Sequence, residues 1–170
     1  MNYKTYIKEI QDFPKKGVSF KDITPLLNKG KVFNQVINKF IEFAKSLNIN
    51  KIVAIEARGF IFGAAVASKM KIGFIPIRKP NKLPRDSYSI SYELEYGTNI
   101  LCLHKDSINH DDRVLIIDDL LASGGSAKAA IELINKTEGT INGLAFLIEL
   151  VELEGYKKLV PYTTWSLIKY

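Results

Sequence analysis

The sequence contains a single cysteine, Cys102, so the chain cannot form an internal disulfide bond. Cys102 lies in the apolar segment 100–103, which favours a thiol that packs in a strand over one that takes part in chemistry. No apolar run approaches the roughly 20 residues that a membrane helix needs, and the first residues lack the apolar core of a secretory signal. Because a lone thiol also fits a reducing compartment, we expect a cytoplasmic protein without membrane association.

Long basic runs are missing as well. The net charge is +6, but the 24 Lys and Arg residues are scattered, and no helix-turn-helix, zinc-finger or RNA-binding signature is present. This pattern favours a small polyanionic substrate over nucleic acid. Histidine is equally scarce, since His104 and His110 are the only two, and their polar surroundings favour structural over catalytic roles.

Apolar residues with regular spacing are abundant. They make up 46% of the 170 residues, and charged residues make up 25%, as is typical of one globular domain with a core. The spacing predicts helices over residues 3–10, 31–47, 59–70 and 125–136, a long loop over 79–92, and strands over 51–56, 73–78, 89–95, 99–104, 113–118, 141–150 and 163–170. Because helices and strands alternate, we expect an α/β fold with a largely parallel sheet covered on both faces.

Residues 114–127 carry the strongest chemical signal. Four apolar residues are followed by Asp118 and Asp119, by a short loop with two glycines, and then by the start of a helix. Ligands of open α/β sheets bind beyond the carboxyl ends of the strands. A glycine loop lets backbone N–H groups approach a phosphate, and the next helix adds its free N–H groups and the positive end of its dipole. The segment therefore predicts a phosphate site.

The acidic pair distinguishes this segment from the common nucleotide-binding motifs. The glycine spacing matches neither the P-loop nor the dinucleotide fingerprint, and no lysine follows the glycines directly. Carboxylates would repel a phosphate, but they can accept hydrogen bonds from vicinal sugar hydroxyls or bind those hydroxyls through a metal. A ribose 5-phosphate fits both halves of such a site.

This segment resembles the phosphoribosyl-diphosphate signature of the type I phosphoribosyltransferase family. Further segments resemble motifs of its adenine-using members, namely the hood (12–27), the pyrophosphate loop (56–60), the mobile loop and hairpin (78–84, 92–97, 104–106) and two later strands (146–150, 166–168). The resemblance spans nearly the whole chain. It implies a type I phosphoribosyltransferase fold in a single domain over residues 1–170, with a small N-terminal hood of about residues 1–30, a core of about 31–170 and a lid loop of about 79–98.

The resemblance also implies a reaction, in which adenine and phosphoribosyl diphosphate give AMP and pyrophosphate. Positive charge builds on the sugar while negative charge builds on the leaving pyrophosphate, so catalysis is expected to be mostly electrostatic. The implied cofactor is Mg²⁺, held mainly by substrate oxygens and water. A homodimer is implied too, because basic loop residues of this family can act in the partner subunit's site.

The same resemblance assigns site residues by role. They are Glu95 and Arg58 for catalysis; Asp118, Asp119, Ala122, Ser123, Gly124, Gly125 and Ser126 for phosphoribosyl diphosphate and AMP; Arg58, Arg78, Lys79 and Lys82 for pyrophosphate; Ser19, Phe20, Lys21 and Leu150 for adenine; and Tyr96 in the lid. Glu95 is the candidate for assisting proton loss from the base nitrogen, and no side chain is assigned as a direct metal ligand. The base pocket is expected under the hood.

The sequence departs from the family pattern at a few positions. Lys21 stands where arginine is usual, and a lysine cannot make the same forked contact. Asn81 replaces a usual glycine in the lid, and this replacement is expected to stiffen the lid unless the asparagine adopts left-handed backbone angles. Ser123 and Ser126 replace threonines and keep their hydroxyls.

Two other functions stay open at this point. A phosphoribosyltransferase for xanthine, hypoxanthine or guanine would share the phosphate half of the site, although segments 13–27 and 92–97 favour adenine. A non-catalytic sensor of phosphoribosyl diphosphate that binds DNA would need an added DNA-binding module, and only about a dozen residues precede the hood.

Overall fold

The structure, a computed structural model, describes residues 1–93 and 98–170. The helices are α1 (Thr24–Leu27), α2 (Gly30–Ser46), α3 (Gly59–Met70) and α4 (Gly125–Ile134), with 3₁₀ turns at Tyr3–Tyr6, Val151–Leu153 and Gly155–Leu159. The strands are β1 (Lys8–Ile10), β2 (Phe20–Asp22), β3 (Lys51–Ile55), β4 (Gly73–Ile77), β5 (Ser87–Glu93), β6 (Thr98–His104), β7 (Arg113–Leu121), β8 (Thr140–Glu149) and β9 (Thr164–Lys169). Within the described ranges, none of the helices combines the length and apolar character needed to cross a bilayer.

The chain divides into two compact units, residues 1–39 and residues 40–170. The smaller unit begins with a single 3₁₀ turn, in which the Lys4 N–H donates to the side-chain oxygen of Asn2. The helix predicted for residues 3–10 is wrong, because Ile7 has an extended backbone and β1 pairs antiparallel with β2. That pairing partner lies about ten residues away along the chain and leaves no trace in local periodicity.

The larger unit is built on a parallel sheet of five strands in the order β4-β3-β7-β8-β9. The predicted parallel α/β sheet is confirmed, and β9 is an edge strand as expected. The neighbouring strands β3 and β7 are apolar after their first residues, Lys51 and Arg113, and β7 remains so as far as Ile117, because both of their faces are covered. Residues 52–54 and 114–117, for example, have no measurable exposure to solvent.

Successive strand residues point to opposite faces of this sheet. Val53 and Ile116 lie on the face that forms a core with α4 and the β5–β6 hairpin. Helix α3 covers the other face so closely that a Cβ atom on Gly63 would lie 2.6 Å from the Cβ of Ala54. The prediction of helices on both faces is confirmed.

The β5–β6 hairpin begins earlier than predicted. Strand β5 starts at Ser87 and pairs with β6 from Ser87–His104 to Glu93–Thr98, so the loop predicted for residues 79–92 ends at residue 86, six residues sooner. Arg78 and Cys102 are joined by two backbone hydrogen bonds of 2.9 and 2.7 Å, which extend the pairing to the end of β4.

Candidate active site

Strand β7 is longer than its apolar residues predict. It continues through both aspartates to Leu121, because Leu120 and Leu121 pair with Ile148 and Glu149 of the neighbouring strand β8. The acidic pair therefore lies within the last residues of a strand rather than beyond it. This placement fixes the backbone of both aspartates in the sheet and leaves residues 122–124 as a short link to α4.

The link between β7 and α4 has the form of an anion-binding loop. Gly124 is the residue before the helix and has a φ of 81°, a left-handed conformation that favours glycine. Ala122, Ser123, Gly125 and Ser126 are all half-buried, so solvent reaches the loop. The free N–H groups of the first turn of α4 face the same place.

Asp118 and Asp119 are both buried near the carboxyl end of β7. The backbone N–H of Asp119 donates to Oδ1 of Asp118 over 2.9 Å. Burial raises the pKa of the Asp118 carboxyl well above its usual range, and the neighbouring carboxylate raises it further. Burial also raises the pKa of Asp119, although the Arg58 guanidinium opposes that rise. A ligand that donates hydrogen bonds to these two carboxylates would stabilise their charged forms.

Arg58, which lies between β3 and α3, contacts the acidic pair. It follows the end of β3, which pairs with β7, and its Nε lies 2.9 Å from Oδ2 of Asp119. In the described part of the chain that oxygen accepts no aligned hydrogen bond, so the contact is an ion pair without favourable N–H direction. The Arg58 side chain remains 36% exposed, which leaves it accessible to an anionic ligand.

Glu56 organises the loop between β3 and α3. Its carboxylate accepts two hydrogen bonds from the Arg78 guanidinium, 3.1 and 3.4 Å long, and one of 2.9 Å from the backbone N–H of Lys79. The bonds from Arg78, followed by the Lys79 N–H, hold the pKa of the Glu56 carboxyl below its ordinary value. The peptide bond between Glu56 and Ala57 is cis. Arg78 is thus paired with a carboxylate of its own chain.

The segment after Arg78 turns back towards it. Lys79 and Lys82 are exposed, and the Lys82 carbonyl accepts a 3.4 Å hydrogen bond from Arg78 Nη1. Asn81 has a φ of 62°, so it adopts the left-handed backbone conformation that a glycine would also allow. Glu95 and Tyr96, the two lid candidates, lie outside the described residues.

The base-binding candidates of the smaller unit lie on and beside β2. The Lys21 ammonium is buried and lies 2.7 Å from Glu9 Oε2 and 3.1 Å from Ser19 Oγ. Its hydrogen bond holds the pKa of Glu9 below the ordinary value. The Phe20 ring packs edge-on against Phe13 at 5.1 Å between centroids. A point charge is accommodated at position 21 because a carboxylate faces it across the β1–β2 pair.

Leu150 follows β8, where its backbone N–H donates to the Leu121 carbonyl over 2.9 Å. Three residues close to the site were not among the predicted set. Glu149 is buried, with Lys169 Nζ 3.3 Å from its carboxylate. A Cβ atom on Gly59 would lie 2.9 Å from Asp118 Oδ1, and one on Gly155 would press on the 122–124 loop. Glycine is too common in sequences for these two contacts to be predicted without a structure.

Fold and site together define a class of protein. A glycine-containing loop, a buried acidic pair and an arginine lie together at the carboxyl end of the strands of a parallel sheet, which is where open α/β sheets bind their ligands. The family model described as the phosphoribosyl transferase domain matches residues 26–164.

The similar proteins define the family more narrowly. The adenine phosphoribosyltransferase of Halothermothrix orenii is 54% identical over 169 residues, which are 99% of both chains. The crystal structure of the enzyme from Thermoanaerobacter pseudethanolicus is 49% identical, with a TM-score of 0.92 over 98% of this chain and 97% of that one. The structure from Saccharomyces cerevisiae, complexed with an imino-altritol bisphosphate and adenine, is 33% identical with a TM-score of 0.91 over 96% and 95% of the two chains. The chain belongs to the adenine phosphoribosyltransferase family, and it is a pentosyltransferase enzyme.

Proposed function

We propose that the chain transfers the 5-phosphoribosyl group from phosphoribosyl diphosphate to adenine and releases AMP and pyrophosphate. The observation that carries this proposal is the meeting of a glycine loop and a buried acidic pair at one edge of the sheet, with Arg58 against the pair. The solved yeast relative, which contains adenine, supports the choice of base.

The ribose 5-phosphate is assigned to the end of β7 and the start of α4. Residues 122–126 would hold the phosphate with backbone N–H groups, and Ser123 and Ser126 would add hydroxyl donors. Asp118 and Asp119 would accept hydrogen bonds from the 2- and 3-hydroxyls of the ribose. These hydroxyls would offset part of the cost of burying two adjacent carboxyl groups, whose pKa values burial raises.

Pyrophosphate binding is assigned to Arg58, whose fork of N–H donors suits phosphate oxygens. As the bond between ribose C1 and pyrophosphate breaks, this cation would stabilise the negative charge that develops on the leaving group. Arg78, Lys79 and Lys82 would supply further positive charge to the pyrophosphate. Glu56 would orient the loop through Arg78 and the Lys79 N–H, a role supported by its three hydrogen bonds to them.

Adenine binding is assigned to Ser19, Phe20 and Lys21 of the smaller unit, with Leu150 as a further candidate. Phe20 offers an aromatic face for a purine ring, a contact worth about 1 kcal/mol. The backbone near Ser19 would read the edge of the base. Glu95 would assist loss of the proton from the attacking ring nitrogen, and Tyr96 would pack over the site as part of a lid that excludes water.

The donor set fits a Mg²⁺ ion that uses substrate oxygens and water. Nowhere in residues 1–93 and 98–170 do three or more His, Cys, Asp or Glu residues cluster as a metal cage, whereas Asp118 and Asp119 place two buried carboxylates beside the loop. Mg²⁺ commonly keeps several waters and takes few protein ligands. When bound, Mg²⁺ would neutralise charge on the pyrophosphate; substrate oxygens and water would hold it, and Asp118 and Asp119 would accept hydrogen bonds from the ribose hydroxyls.

We infer further that the enzyme is a cytoplasmic homodimer in which Arg78, Lys79 and Lys82 serve the partner subunit's site. The exposure of Lys79 and Lys82 supports this inference, since both ammonium groups are available to another molecule.

The test is a panel of separate incubations with phosphoribosyl diphosphate, Mg²⁺ and each of adenine, hypoxanthine, guanine and xanthine, with nucleotide formation followed by chromatography. We expect AMP from adenine and far slower reactions with the other bases. Product from another base with none from adenine would contradict the assignment of adenine. No product from any base would favour the sensor function.

A further inference from the structure

Gly155 lies directly against the loop that is assigned to the 5-phosphate. A Cβ atom built on Gly155 would collide with the Ala122 carbonyl oxygen, and it would lie 2.8 Å from the Gly124 nitrogen and 3.0 Å from the Ser123 carbonyl carbon. In the reverse direction, a Cβ on Gly124 would lie 2.6 Å from the Gly155 carbonyl oxygen. The two backbones are therefore in contact over three successive residues of the loop.

Glycine is needed at position 155 for a different reason from position 124. Gly124 has a left-handed φ of 81°, whereas Gly155 is not among the residues with positive φ. An alanine could adopt the backbone angles of Gly155. Only the closeness of the loop excludes a side chain there, and the atoms it would meet are backbone atoms, which cannot swing away as a flexible side chain does.

The segment that carries Gly155 is anchored on both sides. Before it, the Leu150 N–H donates to the Leu121 carbonyl over 2.9 Å and the Val151 N–H donates to the Tyr170 carbonyl over 2.8 Å. After it, the 3₁₀ turn ends at Leu159, which has no exposure and belongs to the core formed with α4. Backbone hydrogen bonds before Gly155 and core packing after it therefore hold Gly155 against the loop.

We propose that Gly155 is a positioning residue for the 5-phosphate: its lack of a side chain sets how deeply residues 122–124 lie, and so where their N–H groups converge. This proposal rests on the proposed function, because it takes the phosphate-binding role of residues 122–126 from there. The proposal is based on the contact between the backbones of Gly155 and residues 122–124. The roles assigned to the other site residues do not account for this contact. Gly155 would not touch the substrate.

The test compares three glycine-to-alanine variants. Gly155→Ala pushes on the loop. Gly63→Ala is the matched control for overpacking, since its Cβ would meet the Ala54 Cβ at 2.6 Å in the core between α3 and β3. Gly73→Ala is the neutral control, because its nearest contact would be the flexible Lys51 side chain at 3.5 Å. For each variant we would measure the dissociation constants of ribose 5-phosphate and of pyrophosphate by calorimetry, the KM and kcat for AMP formation, and the Tm.

Gly155→Ala is expected to weaken ribose 5-phosphate binding by about 10- to 100-fold, since small displacements of positioning groups have effects of that size. Pyrophosphate binding should change by less than about twofold, because Arg58 lies between β3 and α3 and not in the loop that Gly155 contacts. Gly63→Ala should lower the Tm without this selectivity, and Gly73→Ala should change none of the quantities. Equal weakening of both ligands, or wild-type affinity for both, would overturn the proposal.

A second variant covers the case in which Gly155→Ala does not fold. Leu159→Val removes one carbon from the buried side chain that holds the Gly155–Leu159 turn in the core, so the turn can move away from the loop. The variant should therefore weaken ribose 5-phosphate binding about threefold while leaving pyrophosphate binding unchanged. An unselective effect would overturn the proposal. The two levels of inference remain separable: absence of AMP formation by the wild-type protein would reject the proposed function, whereas normal turnover with an unaffected Gly155→Ala variant would reject only the role of Gly155.

Discussion

Asp118 and Asp119 illustrate, at the scale of single residues, how a site can oppose stability. Burial raises both pKa values in the folded chain above the ordinary value of 3.8. Between that value and the raised ones, the folded chain binds more protons than the unfolded chain, so the free energy of unfolding falls as the pH rises through this window. At neutral pH the acidic pair therefore destabilises the fold.

Replacing Asp118 by Asn should separate the two effects. Asn removes the buried charge and keeps an oxygen that can accept the hydrogen bond of the Asp119 N–H, so the variant should gain about 1 kcal/mol and about 2–4 °C in Tm at pH 7. AMP formation should fall at least about 100-fold. Calorimetry and turnover assays give both quantities. The exposed Asp111→Asn serves as the control and should alter neither; a lower Tm for Asp118→Asn would contradict the account.

The contribution of Glu56 to stability depends on pH in the opposite direction. Its pKa is lowered in the folded chain by Arg78 and the Lys79 N–H, so its contribution to stability is present above its ordinary pKa of 4.5 and is lost as the pH falls through the lower, folded value. Glu56→Gln should cost about 1 kcal/mol at pH 7 and raise the KM for pyrophosphate in the reverse reaction several-fold, because the loop loses its anchor.

The matched control for Glu56→Gln is Arg85→Gln, which removes an ion pair whose side chains are 59% and 63% exposed. Such exposed pairs contribute less than about 1 kcal/mol. Urea unfolding and reverse-reaction kinetics of both variants make the comparison. Indistinguishable results for the two would show that the Glu56–Arg78 pair has no special role.

At the scale of elements, the sequence predicted those helices whose bounds depend on their own apolar spacing. The bounds of α3 and the long helix α2 follow from their own apolar spacing, and both were predicted to within a residue of the structure. Strand β1 and the last residues of β7 exist because distant strands pair with them, which no local pattern reveals. The same holds in the site, where residues 118–126 are contiguous in sequence but Gly155 and Glu149 reach it only through the fold.

The turn after β4 provides a test at this scale. Asn81 has a left-handed φ of 62° and is exposed, so Asn81→Ala should lower the free energy of unfolding by about 1 kcal/mol, whereas Asn81→Gly should change it by less than about 0.5 kcal/mol. Denaturant unfolding of the three proteins would show the order. Equal stability of the alanine and glycine variants would mean that the turn does not require this backbone conformation.

At the scale of the whole molecule, the proposed homodimer makes the site a shared property of two chains. If Lys82 acts in the partner subunit's site and Arg58 in its own, two inactive variants, Arg58→Ala and Lys82→Ala, should regain activity when mixed. Random exchange of subunits gives half heterodimers with one intact site each, so about one quarter of wild-type activity is expected. Turnover before and after mixing is the measurement, and no gain in activity despite verified subunit exchange would place both residues in the same subunit's site.

We propose that the acidic pair at the end of β7 holds the ribose while the adjoining loop holds its phosphate. The most direct measurement is the rate of AMP formation by the double variant Asp118→Ala with Asp119→Ala, alongside circular dichroism to verify its fold. We predict a folded protein whose rate is at least about 1,000-fold below wild type, because the ribose hydroxyls lose both of their acceptors. A folded double variant with near-normal turnover would contradict the account.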